Sequence, residues 1–497
     1  MKRFIRKVAV LGSGVMGSRI ACHFANVGCE VLLLDIAPKE LDATETKKGL
    51  SLESPAVRNR IVNQSLQFAL KSNPSPIYLK SFASRIETGN FDDDLHKIKD
   101  CDWVIEVIIE RLDIKQQLFE KVELHRKEGT LISSNTSGIP INMMLDGRSE
   151  DFQKHFCGTH FFNPPRYLQL LEIIPTPKTD QSVVDFLMDY GAKILGKKTV
   201  LCKDTPAFIA NRVGVYSIMA LFHAVKEMGF SVSEVDKLSG PILGRPKSAT
   251  FRTCDVVGLD TLVHVANGLK QNCPDDEEKD LFELPEYISK MVENNWLGSK
   301  SGQGFYKKEK DENGKKTILA LDLETLEYKK PEKVKFPTLE MAKPIEDLKQ
   351  RTKMLVMGMD KAGEFYRRIF GGLLAYVSNR IPEISDEFYK IDDALKAGFG
   401  WELGPFESWD LFGYEQGVKF IKDANKTMGE AIDEMRAAGM TSFYKSENGR
   451  KMFFDVSSKS YKVIPGTEEL VDLNALREDN KVWGNSDCTL VHLGEGI

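Results

Sequence analysis

Among the 497 residues there is no CxxC pair, no apolar run long enough to cross a bilayer and no large excess of either charge, and each absence removes a class of protein. The eight cysteines, at 22, 29, 101, 157, 202, 254, 273 and 488, form no ligand cluster with histidine, so neither a zinc site nor a disulfide framework is indicated. A reducing, cytoplasmic setting fits. The 68 basic and 73 acidic side chains leave a net charge of -5, so no bulk field recruits nucleic acid or an anionic membrane. The longest apolar stretch, 213–225, is broken by His223 and is too short to be a membrane span. Early charges in MKRFIRKVAVLGSG are reminiscent of a secretory leader, but the apolar run 8–11 gives way to glycines and reads as a strand. The length suits about three domains.

What is present begins with KVAVLG, a short β-branched run at 7–12 that enters GSGVMG; an amphipathic helical stretch then leads to EVLLLD at 30–35. This is strand, glycine turn, helix, strand. Gly12 permits the turn, Gly14 lets backbone amides approach a pyrophosphate at the positive end of the helix, and Gly17 lets helix pack on strand. Gly12, Ser13, Gly14, Val15, Met16 and Gly17 are therefore the expected dinucleotide cradle. Asp35 ends the second strand, where its carboxylate would accept from a ribose diol and repel a 2'-phosphate, which favours NAD over NADP.

Residues 38–82 read as a helical excursion broken by Pro55, Pro74 and Pro76. Its cations Lys47, Lys48, Arg58, Arg60, Lys71 and Lys80 are either a solvated face or contacts to a ligand's phosphates. Strand rhythm then resumes at DWVIEVI (102–108) and TLISSNTSG (130–138), with a helix between, which argues a doubly wound parallel sheet. Ligands of such sheets sit at the carboxyl ends of strands. Glu110 and Lys115 follow one strand there, Asn135, Thr136 and Ser137 the next, and Asn163 the one after. A Ser137 hydroxyl could bind a substrate oxygen, and Asn163 the nicotinamide ribose or carboxamide.

The stretch GTHFFNPPRYLQLLEII, 158–174, holds two apolar runs flanking Pro-Pro, with His160 and Glu172 each six residues from Arg166. Two extended segments turning back at that pivot would face the two side chains across a pair of strands. A carboxylate on one ring nitrogen leaves the other free to take a proton, which makes His160 a candidate general base and Glu172 its orienter. From about Leu201 the periodicity becomes helical. Asp204 and Thr205 before Pro206 predict a helix start, putting Asn211 about a turn and a half inside, where its amide needs a partner.

This second domain ends at SGQGFY, 301–306, just after Lys300. A charged, proline-bearing linker at 307–345 follows, with a hairpin around ILALDLETLEY. Then a weak internal repeat appears: Asp236 and Asp255 are separated by 18 residues, Asp392 and Asp410 by 17, with glycine three after each second Asp, at Gly258 and Gly413. In that register Arg367 stands opposite Asn211. An ENG turn at 447–449 predicts a further hairpin, and TLVHLGEGI ends the chain as a strand with nothing to pair against.

Taken together, GSGVMG, IEVIIERLDIK (105–115), SNTS (134–137), GTHFFNPP (158–165), LLEII (170–174), CKDTPAFIANR (202–212) and SGQGFY resemble the 3-hydroxyacyl-CoA dehydrogenase family, in family order over roughly the first 310 residues. The resemblance implies a Rossmann-type NAD-binding domain (1–200), a helical domain (201–306), the linker, a second and degenerate helical copy (346–430) replacing a dimer partner, and an extension (431–497). It implies oxidation of an acyl-CoA substrate with His160 as base, Glu172 as its partner, and Ser137 and Asn211 positioning the substrate. NAD contacts would come from Asp35, Glu110, Lys115, Ser137, Asn163 and Lys300, with no metal. The duplicated helical part looks like the dehydrogenase portion of bacterial multifunctional β-oxidation proteins, and a thiolase is a candidate partner of the full-length protein. TLVHLGEGI resembles the opening of an enoyl-CoA hydratase domain, as if cut short. Gly138 stands where a second serine is common. The rival readings are a dehydrogenase of a free hydroxy acid, with Arg166 or Arg212 clamping its carboxylate, and a non-catalytic NAD-binding module.

Overall fold

A computed structural model describes residues 3–310, 316–332, 334–447, 449–468, 473, 476, 477, 480–485 and 488–493. The chain divides into two compact units, Met1–Phe208 and Ile209–Ile497.

The first unit is built on one eight-stranded sheet. Its strands are β1 (Lys7–Leu11), β2 (Glu30–Asp35), β3 (Ile86–Asn90), β4 (Trp103–Glu106), β5 (Leu131–Ser134), β6 (Phe156–Phe161), β7 (Leu170–Pro175) and β8 (Lys198–Leu201), in the order 3-2-1-4-5-6-7-8. β1 to β6 are parallel, and β1, β4 and β5 are almost wholly buried, as strands covered on both faces must be. β7 reverses direction against β6, and β8 returns parallel to β7. The helix α1, Val15–Asn26, packs Ile20, Ala21, Phe24 and Ala25 into the core over β1 and β2.

β3 and β8 are strands with no clear signal of their own in the sequence. IETGN and KTVL are short and carry little apolar alternation, so the pairing partners, β2 and β7, determine them. Residues 38–82 do form a broken helical excursion, with helices Ala43–Lys47, Pro55–Arg58 and Arg60–Lys71. Arg58 is held by Asp93 and Arg60 by Glu45, so these two cations are engaged within the protein.

The unit boundary falls after Phe208 because β8 still belongs to the sheet and Asp204 is tied into the first unit. Its carboxylate accepts the amides of Ile141 (2.8 Å) and Asn142 (2.9 Å), and is thereby spent. Ala207 and Phe208 then take left-handed conformations, at φ 60° and 52°. The helix consequently begins at Ala210, not at Asp204, and Asn211 sits in its first turn rather than a turn and a half inside. It is half-buried.

In the second unit two carboxylate clamps share one design. Asp236 accepts the amides of Thr250, Phe251 and Arg252 and the hydroxyl of Tyr306, while Asp392 accepts the amides of Phe406 and Glu407 and the hydroxyl of Tyr444. Asp255 takes the amides of Phe305 and Tyr306, and Asp410 those of Phe443 and Tyr444. Helix Ala210–Glu227 meets helix Lys361–Asn379 through stacked Tyr216 and Tyr376, 3.7 Å apart. The linker hairpin is present as Lys316–Leu321 against Tyr328–Lys329, with Tyr306–Lys310 as a third strand.

The later hairpin pairs Tyr444–Glu447 with Arg450–Asp455; its turn residue Asn448 lies outside the described residues. The expectation that the final strand lacks a partner is corrected. Thr489–Val491 pairs antiparallel with Lys481–Gly484, and beside this pair Asn485 and Cys488 are joined by two hydrogen bonds of 2.9 Å, the Asn485 amide to the Cys488 carbonyl and the Cys488 amide to the Asn485 side-chain oxygen. Residues 494–497 of TLVHLGEGI lie outside the described residues. No helix among the described residues is long and apolar enough to cross a membrane.

Candidate active site

The sequence-predicted groups of the first unit gather at the carboxyl edge of the parallel strands. Gly12 follows β1 at φ 107°, and a Cβ there would stand 2.6 Å from the Val107 oxygen. A Cβ on Gly17 would stand 1.8 Å from the Gly12 oxygen. Gly14 is different, because nothing lies within 4 Å of where its Cβ would be. Two glycines are thus demanded by the protein's own packing and the third opens a space. No side chain caps α1, whose first turn holds no acid and exposes Val15. Such a helix start suits a pyrophosphate, so these residues fit NAD.

Asp35, at the end of β2, is oriented by this turn. Its Oδ2 accepts the Ser13 amide (2.6 Å) and hydroxyl (2.5 Å), and its Oδ1 accepts the Ile36 amide (2.7 Å). A carboxylate offers about four acceptor positions, so capacity for a ribose hydroxyl is left.

The loops after β4 and β5 are pinned by a charge cluster. Lys115 is 1% exposed, and its Nζ lies 2.7 Å from Glu106 and 3.4 Å from Glu110. Glu106 also takes the Ser134 hydroxyl and the Ile108 amide. Glu110 takes the Thr136 hydroxyl (2.5 Å), the amides of Ser137 (2.9 Å) and Gly138 (3.1 Å), and the Ser137 hydroxyl (3.4 Å). Burial pushes the Glu106 carboxyl above its ordinary range, where Lys115 only partly offsets it. Burial also opposes ionisation of Glu110, but Lys115 and the loop donors outweigh it and hold that carboxyl below its ordinary value. Glu106 is not legible as a site residue in the sequence, because a glutamate inside a strand carries no sign of its partners.

His160 and Glu172 are directly opposite in the β6–β7 pairing. His160 Nδ1 lies 2.7 Å from Glu172 Oε2, with Glu172 fully buried and His160 6% exposed. An ionised carboxylate can only accept, so Nδ1 carries the hydrogen and Nε2 the lone pair. Phe162 and Phe208 hold the ring, at 4.6 and 5.6 Å between centroids. The Asn135 side-chain oxygen accepts the Phe161 amide (2.9 Å), tying the end of β5 to β6. Asn163 is exposed, and its Oδ1 accepts from Arg19 of α1 (3.2 Å).

Asn211 and Lys300 belong to the second unit, where Lys300 pairs with Asp260. Both arginines considered as carboxylate clamps are committed elsewhere. Arg166 donates to the carbonyls of Ser75 (2.7 Å) and Ile77 (3.2 Å), and the fully buried Arg212 bonds Asp276 (2.7 Å) and Tyr376 (2.7 Å). The described residues contain no cluster of His, Cys, Asp and Glu able to hold a metal.

A parallel sheet with an open glycine turn at its head, and an imidazole backed by a carboxylate at the same edge, is the architecture of an NAD-dependent oxidoreductase. Residues 7–205 match the family model described as 3-hydroxyacyl-CoA dehydrogenase, NAD binding domain, and residues 208–308 match 3-hydroxyacyl-CoA dehydrogenase, C-terminal domain. The chain belongs to the 3-hydroxyacyl-CoA dehydrogenase family. It is 46% identical to a "Probable 3-hydroxyacyl-CoA dehydrogenase" of Bacillus subtilis (strain 168) over 498 residues, covering all of this chain and 62% of that protein. It thus spans less than two thirds of that relative's length. A protein of the same description from Deinococcus radiodurans is 48% identical over 311 residues, 63% of this chain and 85% of that one. In fold, the chain is similar to 3-hydroxybutyryl-CoA dehydrogenase from Escherichia coli K12, with a TM-score of 0.59 at 22% identity, over 84% of this chain and 94% of that one.

Proposed function

We propose that the chain oxidises a (3S)-3-hydroxyacyl-CoA to the 3-ketoacyl-CoA, a step of fatty acid β-oxidation. The observation that carries this reading is the His160–Glu172 pair, 2.7 Å apart and opposed across two strands at the carboxyl edge of the sheet. NAD, when bound, supplies the hydride acceptor. His160 Nε2 takes the proton of the substrate hydroxyl as the hydride leaves the same carbon, and Glu172 stabilises the imidazolium that forms. Ser137 and Asn211 orient the substrate oxygen and thioester. Gly12 to Gly17, Asp35, Glu110, Lys115, Asn163 and Lys300 hold the cofactor. Engagement of Arg166 and Arg212 inside the protein favours a thioester substrate over a free hydroxy acid, which would need a cationic clamp.

The product is the substrate class of a thiolase, and association with one is the partner reading that accompanies this activity. The second helical region, with Arg367 bonded to the carbonyls of Val356 and Gly358, acts as structural partner of the first.

The test compares acetoacetyl-CoA with acetoacetate as substrates for NADH oxidation, using the intact chain and His160→Gln. The thioester should be strongly preferred, and the variant should lose about a hundred to ten thousand fold in turnover. A fully active His160→Gln enzyme would sink the proposal.

A further inference from the structure

The loop from β6 to β7 lies between His160 and Glu172, and a lysine that the mechanism does not use holds it. Lys197 stands immediately before β8 and is 6% exposed. Its backbone is tied down, since its amide donates to the Gly191 carbonyl (2.9 Å) and the next amide, of Lys198, donates to Gln169 (2.8 Å). From there the side chain reaches the loop. Nζ donates to the Pro165 carbonyl and to the Leu168 carbonyl (2.8 Å). The amides of Tyr167 and Leu168 both donate to the Pro164 carbonyl (2.9 and 3.0 Å), so this part of the loop is one hydrogen-bonded turn. Such a turn leaves its last carbonyls without donors of its own, and the ammonium supplies them.

Among the described residues no carboxylate offsets the charge. Burial pushes the Lys197 ammonium down to about 8, and its ionisable neighbour His23, bonded through Nε2 to the Leu195 carbonyl (3.1 Å), is pushed down to about 4 by burial and by Lys197 itself. A buried cation resting on carbonyls alone is a costly way to fasten a loop. What the loop carries gives the cost a purpose. Asn163 lies two residues before Pro165, with its side-chain oxygen already held by Arg19, and Phe162 packs against the His160 ring.

We propose that Lys197 is a positioning residue of the dehydrogenase: by gripping both carbonyls of the turn it sets Asn163 toward the nicotinamide and Phe162 against the base. The inference rests on the proposed function for the meaning of Asn163, but not for its measurement. A merely structural tie between β8 and the hairpin would lower stability and leave cofactor affinity alone.

The experiment titrates NADH by fluorescence into the full chain carrying Lys197→Met, with steady-state assays on the same preparation and His160→Gln in parallel. Loss of two donors should weaken NADH binding about tenfold, with KM for NADH rising more than kcat falls. Lys197→Gln keeps N–H donors on a shorter stem and should fall between wild type and Met. If the Met variant does not fold, the Gln variant decides, with weakening of about threefold or more expected. NADH affinity within about twofold of wild type in the folded variants would overturn the proposal. A normal rate for His160→Gln would instead remove the catalytic reading and leave the NADH titration standing.

Discussion

Among the described residues of the sheet unit two lysines are buried, and the places they occupy differ in one respect. Lys115 fastens the loops after β4 and β5 from between two glutamates, whereas Lys197 fastens the loop after β6 from beneath two carbonyls. The first is an ionic strut: its charge is answered within 2.7 Å by Glu106, and removing either partner strands the other in a dry interior. The second is a strut of donors. Its charge brings a desolvation cost that no acid among the described residues repays, and the hydrogen bonds alone are what the loop needs. The comparison teaches that burial by itself does not say what a lysine does; the acceptors around it do.

The sharpest way to break the contrast is Lys115→Met, which leaves Glu106 and Glu110 without their cation. It should destabilise the sheet unit by about 3–5 kcal/mol in urea unfolding. A loss below about 1 kcal/mol would mean that the cluster is not an ionic strut. Next comes the double variant Glu106→Gln with Lys115→Met. Because the two groups answer each other, its loss should fall short of the sum of the single losses by about 1–3 kcal/mol, and additivity would contradict the pairing.

Lys197→Met at neutral pH should cost less than Lys115→Met, about 1–2 kcal/mol, since two carbonyls lose donors while an unpaired charge is also removed. An equal or larger loss would erase the distinction between the two struts. The same variant reports on pH. The folded ammonium titrates at about 8, below the ordinary lysine value, so between these pH values the unfolded chain holds a proton that the fold does not. The proton-linked part of this group's stability is therefore fully present above the ordinary lysine pKa and lost as pH falls through about 8, which leaves the bonds to the two carbonyls as its contribution at neutral pH. The gap between wild type and Lys197→Met, read from urea midpoints, should widen as pH rises from 8 to about 10. A flat difference would show that the charge carries no penalty.

The smallest effect belongs to Glu110→Gln. The amide keeps an acceptor for Ser137 and Gly138 but loses the attraction to Lys115, which Glu106 still answers. About 1 kcal/mol is expected, measured by thermal unfolding, and a collapse of the fold would show that Glu110, rather than Glu106, is the principal partner.

Some of this arrangement was legible along the chain, and residue by residue the reasons are local ones. The spacing of Gly12, Gly14 and Gly17 between two strands is a local signal, because turn, helix start and strand contact lie within a few residues of one another. His160 and Glu172 were legible for a related reason: a hairpin of known pivot places equidistant residues in register. Asp35 was recognisable as a strand end, but its bonds to Ser13 were not, since they depend on how the turn folds back over β2. At Asp204 the local signal misled. Asp-Thr-Pro is a helix start by composition, yet the aspartate was taken by amides of Ile141 and Asn142, some sixty residues earlier, and the helix waited for Ala210.

From residues alone came the identity of the elements that close over short distances: the glycine turn, the hairpin carrying base and carboxylate, and the alternation that made a parallel sheet. Tertiary structure alone decided where the buried charges found their answers. Lys115 met acids, Lys197 met carbonyls, and Arg212 met Asp276 and Tyr376 in the second unit. The physical reason is that backbone preference and apolar periodicity act over a few residues, whereas a buried charge is satisfied by whatever polar atoms the finished packing brings within about 3 Å of it.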